Sequence, residues 1–332
     1  MLDLRVLDGG TMLDAATLVA REQRAARARR VWLPAVYTEA DHCRVALEQL
    51  LADGYAGFVA YDDGDCVGVM CGRTADAVGF VPAHGLALGL DLGDSTSIVV
   101  RLFAELAPLL VRGGALRFTI DHIDLDPVGA ALSNVGFGRG SVFASQPARP
   151  TDAGSDVEVR LGTSDDLDAI AELSQLELTH RSTPPIFAHP VVRTLTEARA
   201  EHQQLLEAGA VHFLARRENR DVGLVTVELT SPAPRLCPDA QPYIGATAVD
   251  PSVRSRGIGR ALVGAALEWA HTRGYETVSV DFDSPNPLSR PFWLGMGFQP
   301  SGYRLRRSID ASYSGRSSAT LRAPIDALSH RS

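Results

Sequence analysis

Lysine is absent from this 332-residue chain, so all 32 basic residues are arginine. With abundant alanine beside it, that bias reads as GC-rich coding more than as function. The four cysteines, Cys43, Cys66, Cys71 and Cys237, show no spacing typical of zinc ligands. Cys66 and Cys71 sit five apart on one expected strand and face opposite sides, so reduced structural thiols are expected. The nine histidines form no His-Glu-x-x-His pair, and Gly93-Asp-Ser95-Thr-Ser97 is not the Gly-x-Ser-x-Gly elbow of a hydrolase. Neither metal nor serine chemistry is expected. No run is long and apolar enough to span a membrane, and Met1-Leu-Asp-Leu-Arg5 lacks the features of a signal peptide, which makes the cytoplasm the default. A net charge of −8 argues against general nucleic-acid binding while allowing a cationic partner such as an amine.

What is present is a globular composition, 45% hydrophobic and 22% charged, in a chain long enough for two domains with sizeable cores. The most informative stretch is Tyr243-Ile-Gly-Ala-Thr-Ala-Val-Asp-Pro251, followed by Ser-Val-Arg254-Ser-Arg256-Gly257-Ile258-Gly259-Arg260-Ala261. Alternation and β-propensity predict a strand over 243–249, and Pro251 ends its ladder by removing a donor. Gly257 and Gly259 permit a sharp turn and close approach of a ligand to the backbone. The helix that opens there carries Ile258, Leu262, Ala266 and Trp269 at helical spacing, with Gly274 where a C-terminal cap belongs. Free N–H groups of its first turn, the helix dipole and Arg254, Arg256 and Arg260 together make a seat for a phosphate. A second strand over 277–283 completes a strand, loop, helix, strand unit.

Spacing separates the nucleotide motifs. A P-loop needs Lys and then Ser or Thr after its second glycine, where this chain has Arg260-Ala261. A dinucleotide fingerprint would have its acidic partner in Asp281, 22 residues after Gly259, but its third small residue falls on Leu262. Seven residues, 250–256, also separate the strand from Gly257.

Arg254-x-x-Gly257-x-Gly259 on a strand-to-helix turn resembles the acyl-CoA signature of the GNAT superfamily of N-acetyltransferases. Asn286-Pro-Leu-Ser-Arg-Pro-Phe292-Trp293-Leu-Gly-Met-Gly297-Phe298 is similar to that family's last helix and the Gly-Phe opening its next strand. The resemblance implies an acetyl-CoA-dependent N-acetyltransferase acting on the amine of a small molecule or peptide. It implies that the backbone of Arg256, Gly257, Ile258, Gly259, Arg260 and Ala261 holds the CoA pyrophosphate beside Arg254. Ala248 and Val249 would pair with the pantetheine arm, and Asn286 would reach it or cap a helix. The Tyr that often serves as acid in the family is replaced by Trp293, whose indole cannot do that work. Where some members carry a basic Glu, this chain has Tyr243, a phenol of unperturbed pKa about 10. Glu228 on the neighbouring strand and Tyr303 between the last two strands are further catalytic candidates. The missing Tyr leaves open a CoA-responsive binding or regulatory protein without efficient catalysis.

The chain also repeats itself. Gly54-Tyr-Ala-Gly-Phe58-Val-Ala60 corresponds to Gly209-Ala-Val-His-Phe213-Leu-Ala215 at an offset of 155, and Arg112-Gly113 with Gly136-Phe137 corresponds to Arg273-Gly274 with Gly297-Phe298 at 161. The expected fold class is α+β, as two tandem GNAT-like domains, each a mixed twisted sheet flanked by helices. The first domain is expected over 1–144, a Pro-, Gly- and Ser-rich linker over 145–156, the active domain over 157–311 and a tail over 312–332. At the later offset Arg254, Gly257 and Gly259 fall on Gly93, Thr96 and Ile98, with Asp94 beside them as a helix cap. The first domain is therefore expected to be degenerate for CoA. Its apolar face suits a pseudo-dimeric monomer, and a homodimer is the alternative. The segment Thr179-His180-Arg-Ser-Thr-Pro-Pro-Ile-Phe187-Ala-His189-Pro190 is a candidate wall of the acceptor site.

Overall fold

The computed structural model describes residues 2–89, 94–151, 157–188 and 193–313. Gly93, His189 and Pro190, residues 152–156 of the expected linker and 314–332 of the expected tail lie outside the described residues.

The first half runs β1 (Asp3–Val6), α1 (Met12–Arg27), α2 (Ala40–Ala52), β2 (Ala56–Asp62), β3 (Asp65–Ala75), β4 (Val78–Val81), β5 (Leu86–Leu88), α3 (Ser95–Arg112), β6 (Arg117–Ile123), α4 (Asp126–Asn134) and β7 (Gly138–Pro147). The second runs β8 (Glu158–Leu161), α5 (Leu167–Arg181), α6 (Leu195–Glu207), β9 (Val211–Arg217), β10 (Arg220–Glu228), β11 (Tyr243–Val249), α7 (Ile258–Thr272), β12 (Thr277–Asp283), α8 (Ser289–Gly295) and β13 (Gln299–Ser308). The two series match element for element, except that β4 and β5 together stand where the second half has β11. The α+β tandem architecture is thus as expected.

The compact units are not two consecutive halves. The first comprises Met1–Gly140, Ala233–Leu236 and Ser301–Ser332, and the second Ser141–Pro232 and Cys237–Pro300. In the first unit β1, β2, β3 and β4 pair antiparallel in order, β4 pairs parallel with β6, and β6 pairs antiparallel with residues 302–308 of β13. In the second unit β8, β9, β10 and β11 pair antiparallel in order, β11 pairs parallel with β12, and β12 pairs antiparallel with residues 141–147 of β7. Each sheet therefore takes its last strand from the other half of the chain. The segment expected to open the linker at 145 is still strand, because Ser145 is buried and shares a hydrogen bond with Ser279 at 2.8 Å.

Apolar burial explains the helices. In the first unit Ala15, Leu18 and Val19 of α1 pack with Leu47 of α2 and Val59, Val69 and Cys71 of the sheet. In the second unit Ile258, Leu262, Val263, Ala266, Leu267 and Ala270 make the buried face of α7. Each fully buried Leu or Ile contributes roughly 1.5–3 kcal/mol. Gly223 of β10 lets α7 lie close, since a Cβ there would come within 2.9 Å of Leu262 and 3.2 Å of Ile258. All four cysteines are free, as expected. Asp94 caps α3 by accepting from the Ser97 N–H at 2.9 Å. Among the described residues no helix is long and apolar enough to cross a membrane.

Burial lowers His84, His122 and His202 from about 6.5 to about 4 each. The unfolded chain binds these protons first, so the stability they leave intact above pH about 6.5 is lost as pH falls towards about 4. The thermal midpoint is expected to drop across that window, less steeply in His122→Gln; an identical slope in that variant would refute the assignment of His122.

Candidate active site

The site begins with an irregularity in β11. Gly223, Leu224 and Val225 of β10 face Val249, Ala248 and Thr247, but Val227 faces Ile244 and Glu228 faces Tyr243. Gly245 and Ala246 thus stand opposite Thr226 alone, which is a β-bulge. On its other edge β11 pairs with β12 only at Tyr243 with Ser279 and Ile244 with Val280. Beyond that point the two parallel strands part, and a cavity of about 680 Å³ opens between residues 245–249 and 281–283. A strand edge without a neighbouring strand offers amides and carbonyls to an extended ligand. Three are engaged: the Thr247 N–H donates to Glu177 Oε2 at 3.1 Å, the Val249 carbonyl accepts from Arg254 Nε at 3.2 Å, and the Gly245 carbonyl accepts from Thr247 Oγ1 at 3.5 Å.

The far end of the cavity is the start of α7. Gly257 precedes it in the left-handed region, with φ of 81°, which a side chain would strain. A Cβ on Gly259 would press on the Phe292 ring at 3.3 Å. The N–H groups of Ile258, Gly259 and Arg260 have no acceptor among the described residues, and Gly257, Ile258, Gly259, Arg260, Arg254 and Ser255 all line the cavity. This arrangement of donors and positive charge fits an anionic group.

Two residues expected in that loop stand apart from it. The Ala261 N–H donates to the Gly257 carbonyl at 3.0 Å, so its donor is spent inside the helix, and its side chain is buried. Arg256 is exposed and lines a separate hollow with Arg217, Glu218, Arg220, Val222 and Val253. Ala248 and Val249 line the cavity wall. Asn286 Oδ1 accepts from the N–H groups of Leu288 and Ser289 at 3.0 and 3.2 Å, just before α8, and the residue lines the cavity. Trp293 is buried in the wall, edge-on to Phe298 and Phe292.

The catalytic candidates separate clearly. Glu228, at the end of β10, lines the cavity with its carboxylate against Gly245, where a Cβ would collide with Oε1. Burial raises its pKa, and among the described residues no cation pairs with it. Tyr243 is buried and its hydroxyl donates to the carboxylate of Asp281, which lines the cavity; Tyr243 itself is not among the lining residues. Tyr303 belongs to the first unit, opposite His122 in the β13–β6 register, with its ring tilted against His122 and under Arg139. It is not among the residues lining the cavity.

The sequence reading missed Glu177 of α5. It lines the cavity, and burial raises its pKa to about 7 against the lowering effect of Arg181 and the Thr247 N–H. Arg181 itself is held by Asp283 at 2.7 and 3.3 Å and stands 3.5 Å from Glu177. His180, in the segment expected to border the acceptor, contacts Asn286 Oδ1 at 3.4 Å. One signal was available: the 155-residue offset carries Glu22 onto Glu177, a carboxylate kept in both copies.

Residues 174–298 match the family described as acetyltransferase (GNAT) family. Among solved structures the chain is similar to a GCN5-related N-acetyltransferase from Sphaerobacter thermophilus, at 15% identity and TM-score 0.56, over 92% of this chain and 95% of that one. A tandem GNAT protein from the clavulanic acid biosynthesis pathway matches at 15% identity and TM-score 0.50, over 96% of this chain and all of the other. A GNAT-family acetyltransferase from Colwellia psychrerythraea matches at 13% identity and TM-score 0.50, over 93% and 100%. No curated protein sequence matches.

Proposed function

Because residues 174–298 match the acetyltransferase (GNAT) family and the fold is similar to that of a tandem GNAT protein, we propose that the second unit transfers an acetyl group from acetyl-CoA to the amine of a small molecule or peptide. The parted edge of β11, leading to the N-terminus of α7, carries this reading. When bound, acetyl-CoA supplies an activated thioester; the chain supplies position and proton handling. The N–H groups of Gly257, Ile258, Gly259 and Arg260, with Arg254 and Arg260, hold the pyrophosphate, while residues 247–249 and Asn286 align the amide-bearing arm. Holding both reactants in one cavity supplies much of the acceleration.

An attacking amine must first lose a proton. Glu228 takes it in this reading, because its carboxylate faces the cavity, has no cation among the described residues to fix it as an anion, and is made more basic by burial. Trp293 packs the wall and has no acid role.

Incubation with acetyl-CoA is expected to raise the thermal midpoint and, with a panel of polyamines, aminosugars, amino acids, aminoglycosides and peptide N-termini, to release thiol. A midpoint indifferent to acetyl-CoA would sink the proposal. Glu228→Gln should lower kcat by about 100-fold on the responding amine while keeping the acetyl-CoA shift. An unchanged kcat would remove Glu228 from proton transfer.

A further inference from the structure

The first unit holds an internal counterpart of the acceptor corner. α1 and α5 are one helix in two copies, 155 residues apart, and that offset places Glu22 on Glu177 and Ala26 on Arg181. Both glutamates reach across to the strand beyond the hairpin: Glu22 Oε1 accepts from the Leu88 N–H at 3.2 Å, and Glu177 Oε2 from the Thr247 N–H at 3.1 Å. The strands correspond, since Gly68, Val69 and Met70 face Leu88, Ala87 and Leu86 as Gly223, Leu224 and Val225 face Val249, Ala248 and Thr247; Glu22 thus takes the N–H equivalent to that of Val249, two residues along the strand from the one Glu177 takes.

In the first unit this corner is filled. Arg235, wholly buried, places Nη2 2.6 Å from Glu22 Oε2 and donates to the carbonyls of Leu86 at 2.7 Å, Ala83 at 2.9 Å and Val19 at 3.2 Å. Its Nε donates to Gln23 Oε1 at 3.0 Å. The corner therefore holds a planar cation by one carboxylate and by backbone carbonyls of β5, of the turn before it and of α1.

In the second unit the same corner opens into the cavity. Glu177, Gly245 and Thr247 line it, and Thr247 is the register equivalent of Leu86. Among the described residues the guanidinium paired with Glu177 is that of Arg181, which keeps its short bonds for Asp283. Five carboxylates line the cavity against four arginines, two of which, Arg254 and Arg260, stand at the phosphate end. A desolvated carboxylate with so little compensation gains from an added cation.

We infer that Glu177, with the β11 backbone at residues 245–247, seats a protonated nitrogen of the acceptor, an ammonium or guanidinium. This rests on the proposed acyl-transfer role of the cavity. The group that Arg235 presents to Glu22 is the internal likeness of what the acceptor presents to Glu177.

The test is calorimetric titration of the full chain, saturated with CoA so that no turnover occurs, with agmatine and with spermidine at about pH 8, above the raised Glu177 value. At least one probe is expected to bind, and Glu177→Gln to weaken that binding by about tenfold or more. The CoA-induced rise in thermal midpoint should be the same in both proteins, which reports that the variant is folded. Binding of neither probe, or equal binding to both proteins, would overturn the inference. A missing CoA shift with cation binding intact would instead remove the acyl-transfer reading and leave the cation seat standing.

Discussion

Arg235→Ala is expected to lower the stability of the first unit by about 3–5 kcal/mol, seen as a displaced first transition in urea unfolding. The arginine is wholly buried, and its removal strands the Glu22 carboxylate, which burial already raises, together with the carbonyls of Ala83, Leu86 and Val19. An uncompensated charge in a dry site costs far more than the ion pair contributes. The paired change Glu22→Gln with Arg235→Met should therefore recover much of the loss, because it removes both charges and keeps the volume. A loss under about 1 kcal/mol in Arg235→Ala would show that water reaches the site and that the corner is not the closed cation seat described above.

Gly257→Asp is expected to abolish the thermal shift with acetyl-CoA and to raise KM for it by about 100-fold or more. At an effective dielectric of 20, two unit charges about 4 Å apart repel by about 4 kcal/mol, enough for a factor of several hundred. Left-handed backbone at φ of 81° adds strain of about 1–2 kcal/mol. Asp at a helix N-cap returns about 1 kcal/mol through the N–H groups it accepts from, so the fold should survive. Gly257→Ala separates the two effects: it carries the strain without the charge and should keep most of the shift. Retention of full acetyl-CoA binding in the Asp variant would move the pyrophosphate away from α7.

The parts read directly from sequence were those whose cause is local. β11 spans 243–249 as expected because its alternation is bounded by Pro251, and α7 runs from Ile258 to Thr272, with Gly274 at φ of 79° just beyond. The bulge at Gly245 and Ala246 was not legible, because it depends on which β10 residue each faces. The same non-local dependence hid Glu177, whose position is set by the packing of α5 on β11. Tyr243 is on the expected strand, but its hydroxyl is bonded to Asp281 and the residue does not line the cavity. Arg235 sits in a Pro-containing segment between β10 and β11 that reads as an ordinary loop; nothing local announces that residues 233–236 belong to the other compact unit.

The strand exchange has a consequence for biosynthesis. β6 lacks its outer partner until residues 302–308 have left the ribosome, although every other strand of the first unit's sheet is made by residue 123. Throughout synthesis of the second half, the nascent chain carries a sheet with an open edge, which invites pairing with foreign strands. Premature termination anywhere before residue 302 therefore releases a polypeptide in which the sheet made first is unfinished, so the last strand synthesised acts as the closing seam of the first sheet.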